Sequence, residues 1–193
     1  MGTIDYYDTH ADEFVAGPLG ADMGAHYKKF EALLPAHAAV MDCGCGSGRD
    51  TLHFLACGYE VVPLDGSSEL ARRASELTGL PVRVQTFDQI ADTSTFDGIW
   101  ACSSLLHVRK DDLPAIFARL AHALRPTGTL YVSFKYGTFE GERNGRYFTD
   151  LTEEGLARIV AQVPDLRIRE TWITSDVRPG RDAEKWLNAL IVK

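Results

Sequence analysis

Residues 42–48 read Asp-Cys-Gly-Cys-Gly-Ser-Gly and join a short apolar run to a stretch with helical spacing. The first strand is predicted at residues 38–41 and the first helix at residues 51–56, where apolar side chains recur at helical intervals. A glycine-rich turn between a strand and a helix lets the backbone approach a ligand and leaves the first helical N–H groups available. The segment therefore predicts a parallel α/β fold with a ligand site at the end of its first strand.

The alternation of strands and helices continues beyond this turn. Further strands are predicted at residues 59–64, 82–86, 96–101 and 129–134, and further helices at residues 69–77 and 111–123. Strand, helix and strand repeated in this way require a parallel sheet that is covered on both faces. We therefore predict a doubly wound, Rossmann-like α/β fold.

The C-terminal part differs in character from this alternating region. A polar loop at residues 136–149 precedes a helix at residues 152–163, and two strands follow at residues 166–174 and 184–192. Pro179-Gly180 lies between these strands and favours a turn, so they are predicted to pair as a terminal antiparallel hairpin. The expected sheet thus has seven strands and is mostly parallel.

The chain length of 193 residues is typical of one domain. Within it we distinguish an N-terminal helical cap (residues 1–36), a ligand-binding core (37–134) and a C-terminal part with the loop, helix and hairpin (135–193). The cap is expected to hold one helix near residues 9–15 and another near residues 25–34.

Composition and charge exclude several classes of protein. Hydrophobic residues make up 45% of the chain and charged residues 24%, as in soluble globular domains. The net charge of −7 repels a phosphate backbone, so nucleic acid is not an expected partner. No apolar run approaches the roughly 18 residues of a membrane span, so no membrane partner is expected. The N-terminus lacks a basic start and an apolar stretch, which predicts a cytoplasmic location.

The four cysteines, Cys43, Cys45, Cys57 and Cys102, do not have Cys-x-x-Cys spacing. We predict free thiols in a reducing compartment and no metal site.

The spacing of the glycines indicates which ligand the turn holds. A dinucleotide fingerprint would require a third glycine at position 49, where the chain has Arg49. Asp65 stands 23 residues after Asp42, at the end of the second strand, and can accept hydrogen bonds from both hydroxyls of a ribose. A nucleoside that carries a cationic amino-acid group therefore fits better than a dinucleotide. Arg49 is expected either to contact the carboxylate of that ligand or to pair with Asp50.

These motifs resemble class I S-adenosylmethionine-dependent methyltransferases, in particular the small bacterial group of tellurite-resistance-type methyltransferases. The resemblance runs from about Tyr7 to the C-terminus, and it implies S-adenosylmethionine as the cofactor and S-adenosylhomocysteine as its product. It implies that residues 42–48 surround the methionine end, that Asp65 binds the ribose and that Asp88 binds the adenine amine. The cofactor-binding residues so implied are Asp42, Gly44, Cys45, Gly46, Gly48, Asp65, Gly66, Ser67, Phe87, Asp88, Gln89 and Cys102. The chain departs from the family at Thr127, where glycine is commoner.

The methyl acceptor is expected on the side formed by the cap and the C-terminal part. His107, just past the fourth strand, is the candidate general base, with packing in its loop as the alternative. Tyr7 or Tyr6 is expected to cover the sulfonium, or simply to pack on its helix. Arg143, Arg146, Tyr147 and Arg181, together with Arg178, are candidates for binding an anionic acceptor. The alternative for the arginines is pairing with Glu140, Glu142 and Asp182 on the surface.

The resulting prediction is an S-adenosylmethionine-dependent methyltransferase that acts on a small molecule, with an anionic molecule as the candidate acceptor. Two alternatives stay open: a non-catalytic protein that binds the cofactor, and a nicotinamide-dependent oxidoreductase. The motifs leave the accepting atom and the oligomeric state undetermined.

Overall fold

The computed structural model describes residues 2–16, 22–176, 181 and 183–193. The described strands are β1 (Ala39–Cys43), β2 (Glu60–Asp65), β3 (Arg83–Val84), β4 (Phe96–Ala101), β5 (Leu124–Lys135), β6 (Glu140–Arg143), β7 (Arg146–Thr149), β8 (Arg167–Ser175) and β9 (Lys185–Val192). The helices are α1 (Thr3–Thr9), α2 (Ala11–Ala16), α3 (Gly24–Glu31), α4 (Arg49–Ala56), α5 (Ser68–Thr78), α6 (Leu113–Ala123) and α7 (Glu153–Val160). Short 3-10 helices cover Phe87–Gln89 and Leu105–His107.

Within the described residues, seven strands form one sheet in the order β3-β2-β1-β4-β5-β9-β8. Strands β1 to β5 pair in parallel, whereas β9 pairs antiparallel with both β5 and β8. The predicted seven-stranded, mostly parallel sheet with a terminal antiparallel hairpin is confirmed. The turn predicted at Pro179-Gly180 lies outside the described residues. The chain leaves β1 toward β2 and later returns to its other side as β4, so the switch point lies between β1 and β4.

Local sequence signals account for the ends of several helices. The Ser67 hydroxyl accepts a hydrogen bond from Leu70 N and caps α5. Thr152 caps α7 in the same way through Gly155 N. Gly79 ends α5 with a left-handed φ of 74°, which costs glycine little.

Two hydrophobic clusters hold the sheet between its helices. The larger cluster contains residues of α6 and α7, among them Phe117 and Leu156. The smaller one is aromatic and packs Phe30 and Phe54 from α3 and α4 against Trp100. Trp100 in turn stacks on Tyr131 at a centroid separation of 3.9 Å. These layers fix the strand ends on which the site is built.

The prediction of a polar loop at residues 136–149 is wrong, because strands β6 and β7 pair there as a separate two-stranded ribbon. Asn144 and Gly145 form its turn with φ values of 53° and 77°. An Asn-Gly pair with both φ angles positive is the preferred two-residue turn of a hairpin. The Asn144-Gly145 pair is therefore the feature of the sequence that indicates this hairpin.

The cap contains one more helix than predicted. A break at His10 separates α1 from α2, and the Asp5 side chain accepts from Gly2 N at the start of α1. Helix α1 has no fully buried side chain. It contacts the ribbon through Thr3 Oγ1, which accepts from Tyr147 N at 2.9 Å, and through the Tyr6 ring against Gly145.

Strand β5 starts five residues earlier than predicted, at Leu124, which pairs with Phe96. The register then shifts, and Thr127 adopts a φ of 67° in the intervening bulge. That conformation favours glycine, which explains why a glycine would suit this position.

None of the described helices combines the length and the apolar character that a membrane crossing would require.

Candidate active site

Two cavities meet at the carboxyl ends of β1, β2 and β4. The smaller has a volume of about 350 Å³ and the larger about 700 Å³. Their shared wall is formed by residues of α1, α2, the glycine loop and the segment after β4, namely Tyr7, Phe14, Gly44, Gly46, Ser103 and His107. A ligand that extends from one cavity into the other must therefore contact these shared residues.

The glycine loop is closed onto the end of β2. Both Gly44 N and Cys45 N donate to Leu64 O at 2.9 Å. Gly44 has a φ of +84°, and a Cβ there would lie 2.4 Å from Ser104 Cβ. The bare backbone at Gly44 and Gly46 thus forms part of both cavities.

Asp65 stands between the glycine loop and α5. Its Oδ2 accepts from Gly46 N and its Oδ1 from Ser67 N, both at 2.8 Å. Burial raises the pKa of Asp65, and the backbone donors oppose that shift. Each carboxylate oxygen keeps a lone pair for a hydroxyl group. With Gly66, Ser67 and Phe87 in the same lining, the smaller cavity fits a nucleoside.

Four of the residues predicted to bind the cofactor do not line either cavity: Asp42, Gly48, Asp88 and Gln89. Asp42 is buried below the loop and accepts from Thr51 Oγ1 at 2.6 Å. Gly48 packs closely against Ala74 of α5. Asp88 and Gln89 are exposed, because their 3-10 helix turns them outward while Phe87 faces the cavity. These four residues thus lie outside the cavity linings, and their contacts with a cofactor stay a prediction.

Cys45 and Cys102 line the larger cavity, as does a buried ion pair. Arg49 Nε donates to Asp50 Oδ1 at 2.6 Å. Of the two partners expected for Arg49, the structure therefore has Asp50. Trp100 Nε1 donates to Asp50 Oδ2 at 2.8 Å, and the Tyr27 hydroxyl donates to Oδ1. Burial alone would raise the pKa of Asp50, but the charge of Arg49 and these donors lower it.

The buried carboxyl groups of Asp42 and Asp50 differ in the direction of their pKa shifts. Burial and the negative charge of Asp50 raise the pKa of Asp42 to about 8. Asp50 therefore carries the negative charge that neutralises Arg49.

Helix α1 brings Tyr7 onto His107 at the shared wall. His107 Nε2 lies 2.8 Å from the Tyr7 hydroxyl, and Nδ1 lies 2.6 Å from Tyr147 O. Since a carbonyl only accepts, Nδ1 carries the proton, and Nε2 accepts from the Tyr7 hydroxyl. Arg146 Nη1 donates to the same hydroxyl oxygen at 3.3 Å. Burial lowers the pKa of His107 to about 4, so its ring is neutral at physiological pH.

The predicted anion-binding residues divide into two groups. Arg143, Arg146 and Arg181 line the larger cavity. Tyr147 does not: neighbouring side chains of β7 point to opposite faces, and its hydroxyl donates to Glu140 at 2.7 Å. Its predicted side-chain contact with the acceptor is not supported, although its carbonyl fixes His107. Arg178 lies outside the described residues.

The arginines also differ in their partners. Arg143 pairs with Asp150 at 2.8 Å and Arg181 with Glu184 at 3.6 Å. Arg146 has no carboxylate partner within the described part of the chain, and its buried Nε has no hydrogen-bond partner there. The Tyr6 and Phe148 rings lie 4.8 and 5.2 Å from its guanidinium carbon.

Asp50 and His26 are lining residues that the sequence analysis did not assign to the site. Asp50 could have been suspected because it directly follows Arg49. His26 is buried, and its Nδ1 has no partner among the described residues. No sequence pattern indicated that His26 would reach the cavity, since it comes from α3.

Comparisons with known proteins agree with this geometry. Residues 40–128 match the family model of a methyltransferase domain. A ubiquinone biosynthesis O-methyltransferase from Xanthomonas axonopodis pv. citri (strain 306) is 35% identical over 108 residues, which cover 52% of this chain and 44% of that protein. The chain thus matches less than half of the length of that relative.

Two solved structures resemble nearly the whole chain. The 1,6-didemethyltoxoflavin-N1-methyltransferase of Burkholderia thailandensis, with bound 1,6-didemethyltoxoflavin and S-adenosylhomocysteine, has a TM-score of 0.69 and 25% identity, and the match covers 99% of this chain and 83% of that one. A TehB-like S-adenosylmethionine-dependent methyltransferase from Corynebacterium glutamicum has a TM-score of 0.70 and 20% identity, with coverages of 98% and 97%.

The chain therefore has the fold of the class I S-adenosylmethionine-dependent methyltransferases. The predicted class I methyltransferase fold is confirmed.

Proposed function

We propose that the protein transfers the methyl group of S-adenosylmethionine to a small molecule bound in the larger cavity. The observation that carries this proposal is the pair of cavities that meet at Tyr7, His107 and the glycine loop. Asp65, Gly66 and Phe87 would hold the nucleoside part in the smaller cavity. The cofactor, when bound, supplies a methyl group on a positively charged sulfur.

The larger cavity favours an acceptor with an anionic or strongly accepting oxygen. Among the described cations of its lining, Arg49, Lys135, Arg143 and Arg181 have carboxylate partners. Arg146 lacks one, and its Nε is buried, so a ligand oxygen would satisfy both the charge and the donor. The carboxylate of the cofactor is the other anion that Arg146 would bind. The Arg146→Met variant distinguishes binding of the acceptor from binding of the cofactor.

The Tyr7–His107 pair offers a path for a proton. An acceptor nitrogen or hydroxyl that is methylated must lose a proton. The Tyr7 oxygen would take this proton while its own proton moves to His107 Nε2. Because Nε2 faces Tyr7, His107 acts through Tyr7 rather than on the acceptor directly.

The first test is calorimetric titration with S-adenosylhomocysteine, with NAD as a parallel control. A methyl-transfer assay with 1,6-didemethyltoxoflavin follows, because the Burkholderia enzyme that holds this molecule resembles 99% of this chain. Other small aromatic acids and hydroxy compounds extend the assay. Micromolar binding of S-adenosylhomocysteine together with a methylated product supports the proposal. Binding without any product indicates a non-catalytic binding protein, and binding of NAD instead indicates an oxidoreductase.

Replacing Arg146 by methionine is expected to raise the KM for an acceptor by about 10- to 100-fold, which corresponds to the loss of a hydrogen bond to a charged group. The affinity for S-adenosylhomocysteine should not change. Arg109→Met, which removes an exposed arginine over the outer face of Tyr147, is the matched control. If Arg146→Met lowers the affinity for S-adenosylhomocysteine and leaves the KM for the acceptor unchanged, Arg146 binds the cofactor carboxylate instead.

Tyr7→Phe is expected to lower kcat by about 100-fold, the lower range for the loss of general acid–base catalysis. In the native protein, kcat/KM should fall only as the pH approaches about 4, because burial holds the pKa of His107 there and the ring accepts a proton only while neutral. A pH profile of both proteins measures this. A decrease centred near the ordinary histidine pKa of about 6.5 would contradict the role of His107.

A further inference from the structure

Three potential metal ligands meet on the surface outside both cavities. Glu31 is the last residue of α3, His53 lies in the last turn of α4, and Cys57 caps the end of α4. His53 Nε2 lies 2.7 Å from Glu31 Oε1 and 3.6 Å from Cys57 Sγ. All three ligand atoms lie within 4.8 Å of one another.

We propose that Glu31, His53 and Cys57 bind a divalent cation of the zinc class. Ligand atoms about 2.0–2.3 Å from a tetrahedral zinc ion are separated by roughly 3.3–3.7 Å. The Cys57–His53 separation of 3.6 Å lies within this range and the His53–Glu31 separation of 2.7 Å lies below it, so small rotations of these partly exposed side chains bring the three atoms to it. His53 and Cys57 are four residues apart and share one face of α4.

The histidine is already oriented. The Tyr27 ring stacks on the His53 ring at a centroid separation of 3.7 Å and an interplanar angle of 9°. The Phe54 ring contacts it edge-on at 5.4 Å. A ring held between two aromatic neighbours loses little freedom on binding a metal, which lowers the entropic cost.

The charges of the site favour a dication. The C-terminal ends of α3 and α4 converge here, and each contributes a partial negative charge. Binding would form a metal–sulfur bond while the Cys57 thiol releases its proton to solvent, and His53 would exchange its hydrogen bond with Glu31 for a metal bond. The dication with one thiolate and one carboxylate is then neutral, and water completes the tetrahedron.

The set of ligands selects zinc over magnesium or calcium. Thiolate and imidazole prefer zinc-like ions, whereas magnesium and calcium require oxygen ligands. The sequence prediction of no metal site weighed Cys43 and Cys45 and did not join Cys57 to residues of another helix. Metal bound here would connect α3 to α4, and Tyr27 would link the site to Asp50 in the cavity lining.

The test is titration of the full chain with Zn²⁺ by calorimetry and with Co²⁺ by absorption, in a non-chelating reductant. We expect one ion per chain, a thiolate-to-cobalt charge-transfer band and a higher thermal unfolding midpoint with Zn²⁺. Cys57→Ser should abolish the charge-transfer band and lower the affinity for Zn²⁺ at least tenfold. His53→Gln should also lower the affinity for Zn²⁺. His122→Gln, which alters an exposed histidine of α6, is the control.

The Cys57 variant removes an exposed side chain, so circular dichroism should report an unchanged fold. The absence of Zn²⁺ binding would overturn the proposal. Binding that Cys57→Ser and His53→Gln leave as strong as in the native chain would also overturn it, since the ion would then be held elsewhere.

Discussion

Asp65→Ala is expected to lower the affinity for S-adenosylhomocysteine by about 100-fold or more. Hydrogen bonds to a charged group contribute about 1.5–3 kcal/mol each, and about 1.4 kcal/mol is tenfold in affinity. The substitution removes the acceptor for both ribose hydroxyls. It also leaves Gly46 N and Ser67 N without the carboxylate that holds the glycine loop against α5. Calorimetric titration of the purified variant measures the loss.

Asp88→Ala is the control for this experiment. Asp88 is exposed and outside both cavities, so its removal should change the affinity less than threefold. Thermal unfolding of both variants without ligand separates a loss of binding from a loss of folding. If Asp88→Ala weakens binding as much as Asp65→Ala, the outward orientation of Asp88 does not describe the bound state. If Asp65→Ala binds normally, the nucleoside does not occupy the smaller cavity.

Asp50→Ala is expected to lower the free energy of unfolding by about 3–5 kcal/mol, the range for removing one partner of a buried ion pair. Asp50 is 7% exposed and receives hydrogen bonds from Arg49, Tyr27 and Trp100. Without the carboxylate, the charge of Arg49 and two buried donors lose their acceptor. Denaturant titration followed by tryptophan fluorescence measures the change.

Two further variants test the cause of this loss. Asp50→Asn keeps the shape and part of the hydrogen bonding, so it should be destabilised less than Asp50→Ala. Asp92→Ala breaks the surface pair with Arg83, whose side chain is 42% exposed, and should cost less than about 1 kcal/mol. Equal losses for Asp50→Ala and Asp92→Ala would show that the buried network contributes no more than a surface pair.

Apolar runs and helical spacing predicted most of the fold correctly. Strand β4 has the predicted bounds, because five of its six residues are apolar or small and polar turns lie on both sides of it. The ribbon was missed because its two strands have only four residues each and pair apart from the main sheet, so they leave no run of apolar residues in the sequence. Only the Asn144-Gly145 turn carried the signal.

The sequence predicted the position of the site better than it predicted the directions of individual side chains. Asp65 and Gly44 were predictable because strand ends of a parallel sheet meet at one edge. Asp88 and Tyr147 do not line the cavities because a 3-10 turn and the strand pleat set the directions of their side chains, which sequence spacing does not predict. Asp50 and His26 reach the cavity through tertiary packing of α3 and α4, for which no local pattern exists.

Helix α1 forms a cover over both cavities and rests on the ribbon, whose Phe148 belongs to the main core. The cover is attached by contacts such as Thr3 with Tyr147 and Tyr7 with His107, and α1 adds no fully buried side chain to the core. Such a segment can open at a small fraction of the free energy of global unfolding. Because Tyr7 borders both cavities, one opening would expose them together. In the proposed methyl transfer, cofactor exchange and acceptor exchange would then share a single gate.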